Sequence, residues 1–184
     1  NWEVSNVTNM YYMFHQSHSF NQDINDWDVS KVTNMQYMFS GAQSFNKDLN
    51  DWDVSKVGNM QHMFNHALVF NGTISDWDVS GVSNFKEMFR NTPFNQDRSN
   101  WDVSKAGLGN GYGFTYMFQD AYDFNQDISG WDVSNGGRSN GMFNRAYSFN
   151  QDISGWDVSN WTGMSNLFDG ASSFNQDISS WNVS

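Results

Sequence analysis

Apolar residues recur along the chain in a fixed order but with a step that changes partway through each recurrence. In the stretch from Ile24 to Asp48, Trp27 and Val29 flank the polar Asp28, the in-and-out alternation of a short strand that begins near Ile24. Val32, Met35, Met38, Phe39 and Ala42 then recur at three to four, the spacing of an apolar helix face. Asp28 and Ser30 place side-chain oxygens where a helix start or tight turn needs them, and Gly41 (like Gly170) suits the far end. Phe45 points inward again before Asn46-Lys47-Asp48 leads to the next strand at Leu49. The pattern predicts one short strand plus a short helix or turn in about 25 residues.

The same unit returns throughout. Trp2, Trp27, Trp52, Trp77, Trp101, Trp131, Trp156 and Trp181 are separated by 25, 25, 25, 24, 30, 25 and 25 residues. A fixed period of this size means one supersecondary unit stacked on copies of itself. The expected fold is an α/β repeat solenoid, leucine-rich-repeat-like, forming a single domain over residues 1–184. It has seven full units of parallel strand plus helix or turn, and a partial eighth at Trp181. Three units depart from the pattern. One is a residue short before Phe94, carries the sole proline, Pro93, and has Arg98 where Ile or Leu stands elsewhere. The next carries extra residues in the glycine-rich Lys105–Gly113 stretch, and the one after has Gly136-Gly137-Arg138-Ser139. Irregular turns are expected at both glycine-rich stretches.

These residues carry a resemblance. Ile24-x-x-Trp27-x-Val29 matches the strand motif of leucine-rich repeats, and the Val-x-x-Met-x-x-Met-Phe-x-x-Ala-x-x-Phe spacing is similar to the BspA-like subclass. The combination Trp-Asp-Val-Ser, Met-Phe and Phe-Asn-Gln-Asp-Ile looks like the DUF285-type tandem repeat of bacterial and protist surface proteins. The resemblance spans the whole chain. It implies an extracellular, surface-displayed location, a structural or adhesive role, and no catalytic residues.

Charge narrows the partners. Twenty acidic residues against nine basic ones give a net charge of −11, with no basic stripe, so nucleic acid is not an expected partner. There is no cysteine for disulfides or thiolate metal sites. No apolar run is long enough to span a membrane. The chain opens Asn1-Trp2-Glu3-Val4, inside the repeat and without an initiator Met, which points to a mature or excised segment.

Candidate chemistry lies in columns of equivalent residues. With Trp27 and Val29 inward, Asp26 and Asp28 must point outward. Stacking builds one ladder from Asp28, Asp53, Asp78, Asp102, Asp132 and Asp157, and a second from Asp26, Asp51 and Asp76. Carboxylates about 5 Å apart on neighbouring strands repel by roughly 1 kcal/mol per pair, so something must offset the repulsion. Three offsets are open: backbone N–H groups of the following turn, Ca²⁺ held between neighbours, or a cationic or hydroxyl-rich partner. Asn21, Asn46, Asn71, Asn95, Asn125, Asn150 and Asn175 form a further column, expected to be an internal structural ladder that satisfies backbone groups in each turn. The aspartates at 23, 48, 97, 127, 152 and 177 beside it are expected to cap the loop.

Remaining candidates are scattered. The repeating Trp, Met-Phe and Phe positions read as core, whereas Trp161 and Tyr11, Tyr12, Tyr37, Tyr112, Tyr116, Tyr122 and Tyr147 fall outside those columns and are candidates for exposure. His15, His18, His62 and His66 share no column, and no nucleophile–base pairing or phosphate loop stands out, so an enzyme is not expected. Asn6 and Asn160 are the better-placed N-glycosylation sequons, with Asn71 expected to be protected. Trp2, Val4, Trp181 and Val183 place the strand motif at both ends, which suggests contact with adjacent repeats or further copies of the chain. The functional expectation is a non-enzymatic extracellular surface repeat with a structural or adhesive role and a cell-surface or matrix ligand. The alternatives are a filament protomer joined head to tail through these ends and a Ca²⁺-dependent binding module on the Asp ladders.

Overall fold

The computed structural model describes residues 2–184. They form coils of about 25 residues stacked one on the next, each bonded to its neighbour through backbone and side chains. The expected α/β architecture of strand plus helix does not form. Among the described residues there is no α-helix, and the only sheet-like pairings are isolated bridges: Asn9–Asn34, Asn34–Asn59, Asn59–Asn84 and Arg138–Gly163 are parallel, and Tyr112–Gly137 is antiparallel.

What replaces the helix is a ribbon of overlapping turns. In the second coil Met38 N–H bonds to the Met35 carbonyl, Ser40 to Tyr37, Ala42 to Phe39 and Phe45 to Ala42. Each bond closes four residues, one fewer than a helical turn. Tyr37 and Gly41 occupy the third place of two of these turns with φ of 57° and 74°, a conformation that no α-helix contains. The intervening N–H groups go to the next coil: Tyr37 to Gln61, Phe39 to Met63 and Gly41 to Asn65, at 2.8–3.0 Å. Carbonyls of Gln36, Met38 and Ser40 accept from the coil before, at Tyr12, Phe14 and Gln16. Backbone donors and acceptors therefore alternate between turn and neighbour, and the ribbon's polar groups are paired without a helix or a sheet.

The strand expected at Ile24–Val29 fails for a related reason. Trp27 N–H closes a turn onto the Ile24 carbonyl, and Val32 closes another onto Val29. Only the residues between are extended, too few to build a ladder. The side-chain alternation survives nonetheless, with Val29 buried and Asp26 and Asp28 exposed. Neighbouring segments are tied by indoles instead: Trp52 Nε1 donates to the Ile24 carbonyl at 3.0 Å, Trp77 to Leu49 at 2.7 Å and Trp156 to Ile128 at 3.1 Å.

Inside the coils the core is continuous. Phe14, Phe39, Phe64, Phe89, Phe118, Phe143 and Phe168 stack in one column with centroids 5.4–5.9 Å apart. A second column runs Phe20–Phe45–Phe70–Phe94 and, beyond Arg98, Phe124–Phe149–Phe174. Each ring inside a column buries a large apolar surface and gains an offset stacking contact on both sides.

The irregular units keep the register. In the long unit, Gly107 (φ 91°) lets the chain loop out and close through Gly111 N–H onto the Gly107 carbonyl at 2.9 Å. Phe85 then resumes the inter-coil ladder at Gly113. Trp161 is buried, contrary to the exposure expected for it, and donates to the Val133 carbonyl at 2.8 Å. It fits because Gly136 stands beneath it, where a Cβ would fall 2.5 Å from the indole nitrogen. Small and large residues have exchanged roles between adjacent coils at that column.

Candidate functional site

The Asp28 column resolves into repeated caps. Asp28 Oδ1 accepts both the Ser30 amide at 3.1 Å and the Ser30 hydroxyl at 2.6 Å, and Asp53, Asp132 and Asp157 hold Ser55, Ser134 and Ser159 in the same way. Asp78 and Asp102 accept the amides of Ser80 and Ser104. Hydrogen bonds from the serine hydroxyl and then its amide hold the Asp28, Asp53, Asp102 and Asp157 carboxyls below their ordinary range. These donors stabilise the charged form and so offset the repulsion along the ladder.

The second column is satisfied across coils. Asp51 accepts Asn25 Nδ2 at 2.6 Å, and Asp76 accepts Asn50 Nδ2 at 2.7 Å. Asp26 is exposed at the start of that row. Among the described residues no group of three His, Asp or Glu side chains is placed to hold a metal ion. What the two columns offer a ligand is a row of outward carboxylate oxygens, one coil apart.

Asn21, Asn46, Asn71, Asn95, Asn125, Asn150 and Asn175 form an unbroken ladder in which each Oδ1 accepts the backbone N–H of the next Asn at 2.8–3.0 Å. Gln96, Gln126, Gln151 and Gln176 add a second donor to the oxygen one coil back. The ladder lies on the surface, with Asn21, Asn46, Asn71 and Asn175 exposed, and is not the internal one expected. Asn71 is therefore not shielded by burial. Its Oδ1 accepts from the Asn95 amide and Gln96 Nε2, while Asn6 and Asn160 are exposed. The flanking Asp97, Asp127, Asp152 and Asp177 cap the amides of the serines two residues on, whereas Asp48 accepts from Thr73 one coil away.

Scattered histidines gave no signal in the sequence, yet the coils bring one of them into a buried polar cluster. His62, Asn65 and Glu87 are all buried. His62 Nδ1 lies 3.2 Å from Glu87 Oε2, Arg90 Nη1 donates to the same oxygen at 2.9 Å, and Asn65 Nδ2 donates to it at 3.1 Å. Tyr37 stacks on the His62 ring at 4.3 Å, and Tyr12 packs against Tyr37 at 4.7 Å with its ring tilted by 34°. The missed signal was columnar: Tyr12, Tyr37, His62 and Glu87 occupy one repeat position and fall in a row.

Burial alone would raise the Glu87 carboxyl, but the hydrogen bonds and charges of His62 and Arg90 outweigh it and bring the pKa to about 2. Because the folded pKa lies below the ordinary 4.5, the stabilisation is complete above that range and is lost as pH falls from 4.5 towards 2. For a buried group this amounts to roughly 3 kcal/mol at most. Urea unfolding of the parent chain and Glu87→Gln across that window is expected to show the parent losing stability more steeply. Parallel curves would remove Glu87 from the acid response.

At the first coil, the aromatic rings of Trp2, Phe14, Phe20 and Trp27, together with Glu3, Asp23, Asp26 and Asp28, line a cavity of about 730 Å³. Trp2 is 65% exposed and stacks on Trp27 at 5.9 Å, while Trp181 is half-buried against Trp156 at 6.4 Å. Val4 is buried and Val183 exposed.

A stack of turn-built coils with capped polar columns is a repeat protein in which no unit stands alone. The family model described as "Mycoplasma protein of unknown function, DUF285" matches residues 1–101, 46–135 and 94–184, and the chain belongs to that family. No curated protein matches the chain.

Proposed function

We propose that the chain is a non-enzymatic surface repeat whose role is structural or adhesive, acting outside the cell as a stiff spacer and display face. The observation that carries this reading is the use of chemically capable side chains in architecture. The Asp columns cap turns, the Asn column ties coils together, and the Trp indoles bond to carbonyls of the preceding coil. The outward carboxylates leave an acidic face suited to a cationic or hydroxyl-rich matrix ligand. Protease treatment of intact cells tests the location: release of fragments from unbroken cells supports it, and full protection until lysis rejects it.

A second reading is stacking by another coil of the same kind, from adjoining chain or from a second copy. The ends are chemically complementary. Among the described residues the Asn166, Phe168 and Gly170 amides make no inter-coil bond, while the Tyr11, Met13 and His15 carbonyls face outward from the first ribbon. There are seven ribbons but eight Trp segments, so a second copy would bring Trp2 and Trp181 to the same place. Joining two copies would therefore displace the exposed Trp2 and seat Trp181 on Trp27. Sedimentation over a range of concentrations tests this: growth that is lost in Trp181→Ser supports it, and a monomer throughout rejects it.

A further inference from the structure

A residue missing from one coil leaves a notch in the surface of the ribbon. At the column His18, Gln43, Leu68, Tyr122, Tyr147 and Ser172, the fourth coil supplies only Pro93, because Thr92-Pro93-Phe94 replaces the four-residue turn Ala67-Leu68-Val69-Phe70. The Thr92 hydroxyl takes up the slack, donating to the Phe89 carbonyl at 2.8 Å and accepting from the Phe94 amide at 3.4 Å. The turn presents one outward residue, Pro93, where the third coil presents two, Leu68 and Val69. Leu68 and Tyr122 are left as facing walls two coils apart, ~10 Å, around a cavity of about 150 Å³ floored by Thr92 and Pro93.

The chemistry of the notch is specific. One face of the Tyr122 ring is covered by Tyr147 in a near-parallel stack at 4.9 Å, so the opposite face looks into the gap. Two carboxylates stand at its rim, Asp120 and Asp123. Arg145 Nε lies 2.6 Å from Asp120 Oδ1, which neutralises that one. Asp123 is exposed and makes no ion pair among the described residues. Ser44, Ser148 and Ser173 amides bond to carbonyls one coil back, but Asp123, like Val69, makes no such bond.

We propose that the notch is a docking slot for the guanidinium of an arginine side chain on a partner protein. A flat cation fits the place of the missing rung, with one face on Tyr122, its aliphatic stem on Leu68 and its N–H groups on Asp123. The chain already makes this contact internally: Arg98 lies over Phe94 at 4.9 Å, and Arg138 over Tyr112 at 5.3 Å. A neutral sugar ring would use the Tyr122 face but leave the Asp123 charge unmatched, which is why the cation is favoured.

Amide NMR of the whole chain, titrated with an acetyl-Gly-Arg-Gly-amide peptide, tests the slot. Saturable millimolar binding is expected, with shifts centred on Asn91, Tyr122 and Asp123. The same peptide with citrulline, the neutral isostere, should bind about tenfold more weakly. Inserting one valine between Pro93 and Phe94 restores the rung, so that variant should stay folded and lose binding; Asp123→Asn should weaken it. Equal response to arginine and citrulline overturns the proposal, as do shifts centred elsewhere or binding of methyl glucoside in place of arginine. So does a folded insertion variant that binds undiminished.

Discussion

Phe64→Ala is expected to cost about 3–5 kcal/mol, at the top of the range for a single truncation in this core. The ring is fully buried and touches four others: Phe39 at 5.5 Å, Phe70 at 3.9 Å, Phe89 at 5.8 Å and Trp77 at 6.3 Å. It sits in the third of seven ribbons, so neither neighbour can collapse into the gap without leaving its own place in the column. Stability in a linear array is a sum of units and interfaces, and this change weakens two interfaces at once. A fall in melting temperature of roughly 10 °C should follow. Phe20→Ala, at a half-buried ring in the first coil, should cost less. Calorimetry of the two variants decides the point, and equal losses would mean that the column does not carry stability along the stack.

Arg98→Met is expected to act in the opposite direction, stabilising the chain by about 1–3 kcal/mol. Arg98 is 1% exposed and holds the position that Ile or Leu takes in other coils. Its Nη1 donates to the Asp97 carbonyl, but Nε and Nη2 are buried without partners. Trp101 Nε1 beside it also lacks the carbonyl bond that its equivalents make. The guanidinium lies over the Phe94 ring at 4.9 Å and the Trp101 ring at 5.4 Å, which recovers part of the lost hydration. Loss of solvation still dominates, and it pulls the pKa down to about 10 against the charge of Asp97. Methionine matches the length and flexibility of the stem and adds no unpaired polar donor of its own. A lower melting temperature for Arg98→Met would show that the guanidinium, and not its stem, supports this coil.

The repeat, its inward Trp and Phe columns and its outward Asp columns were legible because burial imposes them one residue at a time. Val29 in and Asp28 out need only an extended backbone, which the coils provide. The secondary structure was not legible, and the reason lies in spacing. Overlapping turns closed over four residues return a side chain to the core every three to four positions, as Met35, Met38, Phe39 and Ala42 show. A helix does the same, so hydrophobic period cannot separate the two. The distinction rests on where Tyr37 and Phe39 send their N–H groups, and the acceptors are on the next coil. Bulky residues with positive φ, such as Tyr37 and His62, gave no warning in the sequence, since glycine is the usual occupant there. The His62–Glu87 cluster was missed for a different reason: its members lie in adjacent coils and become neighbours only once the units are stacked in register.

The alternating bonds of the ribbon also give the stack an electrical direction. Between the first two coils four backbone N–H groups bond forward to ribbon carbonyls, from Met10, Tyr12, Phe14 and Gln16, whereas those of Thr33, Ser44, Asn46 and Asp51, outside the ribbon's inter-coil series, point back. Within the ribbon the forward bonds recur from coil to coil, as at Tyr37, Phe39 and Gly41, so the dipoles of that one series add. As in a long helix, partial charges gather where the series stops. The last described coil presents amide hydrogens and the first presents carbonyl oxygens. The ribbon therefore has a positive end and a negative end, fixed by backbone geometry and independent of the acidic side chains.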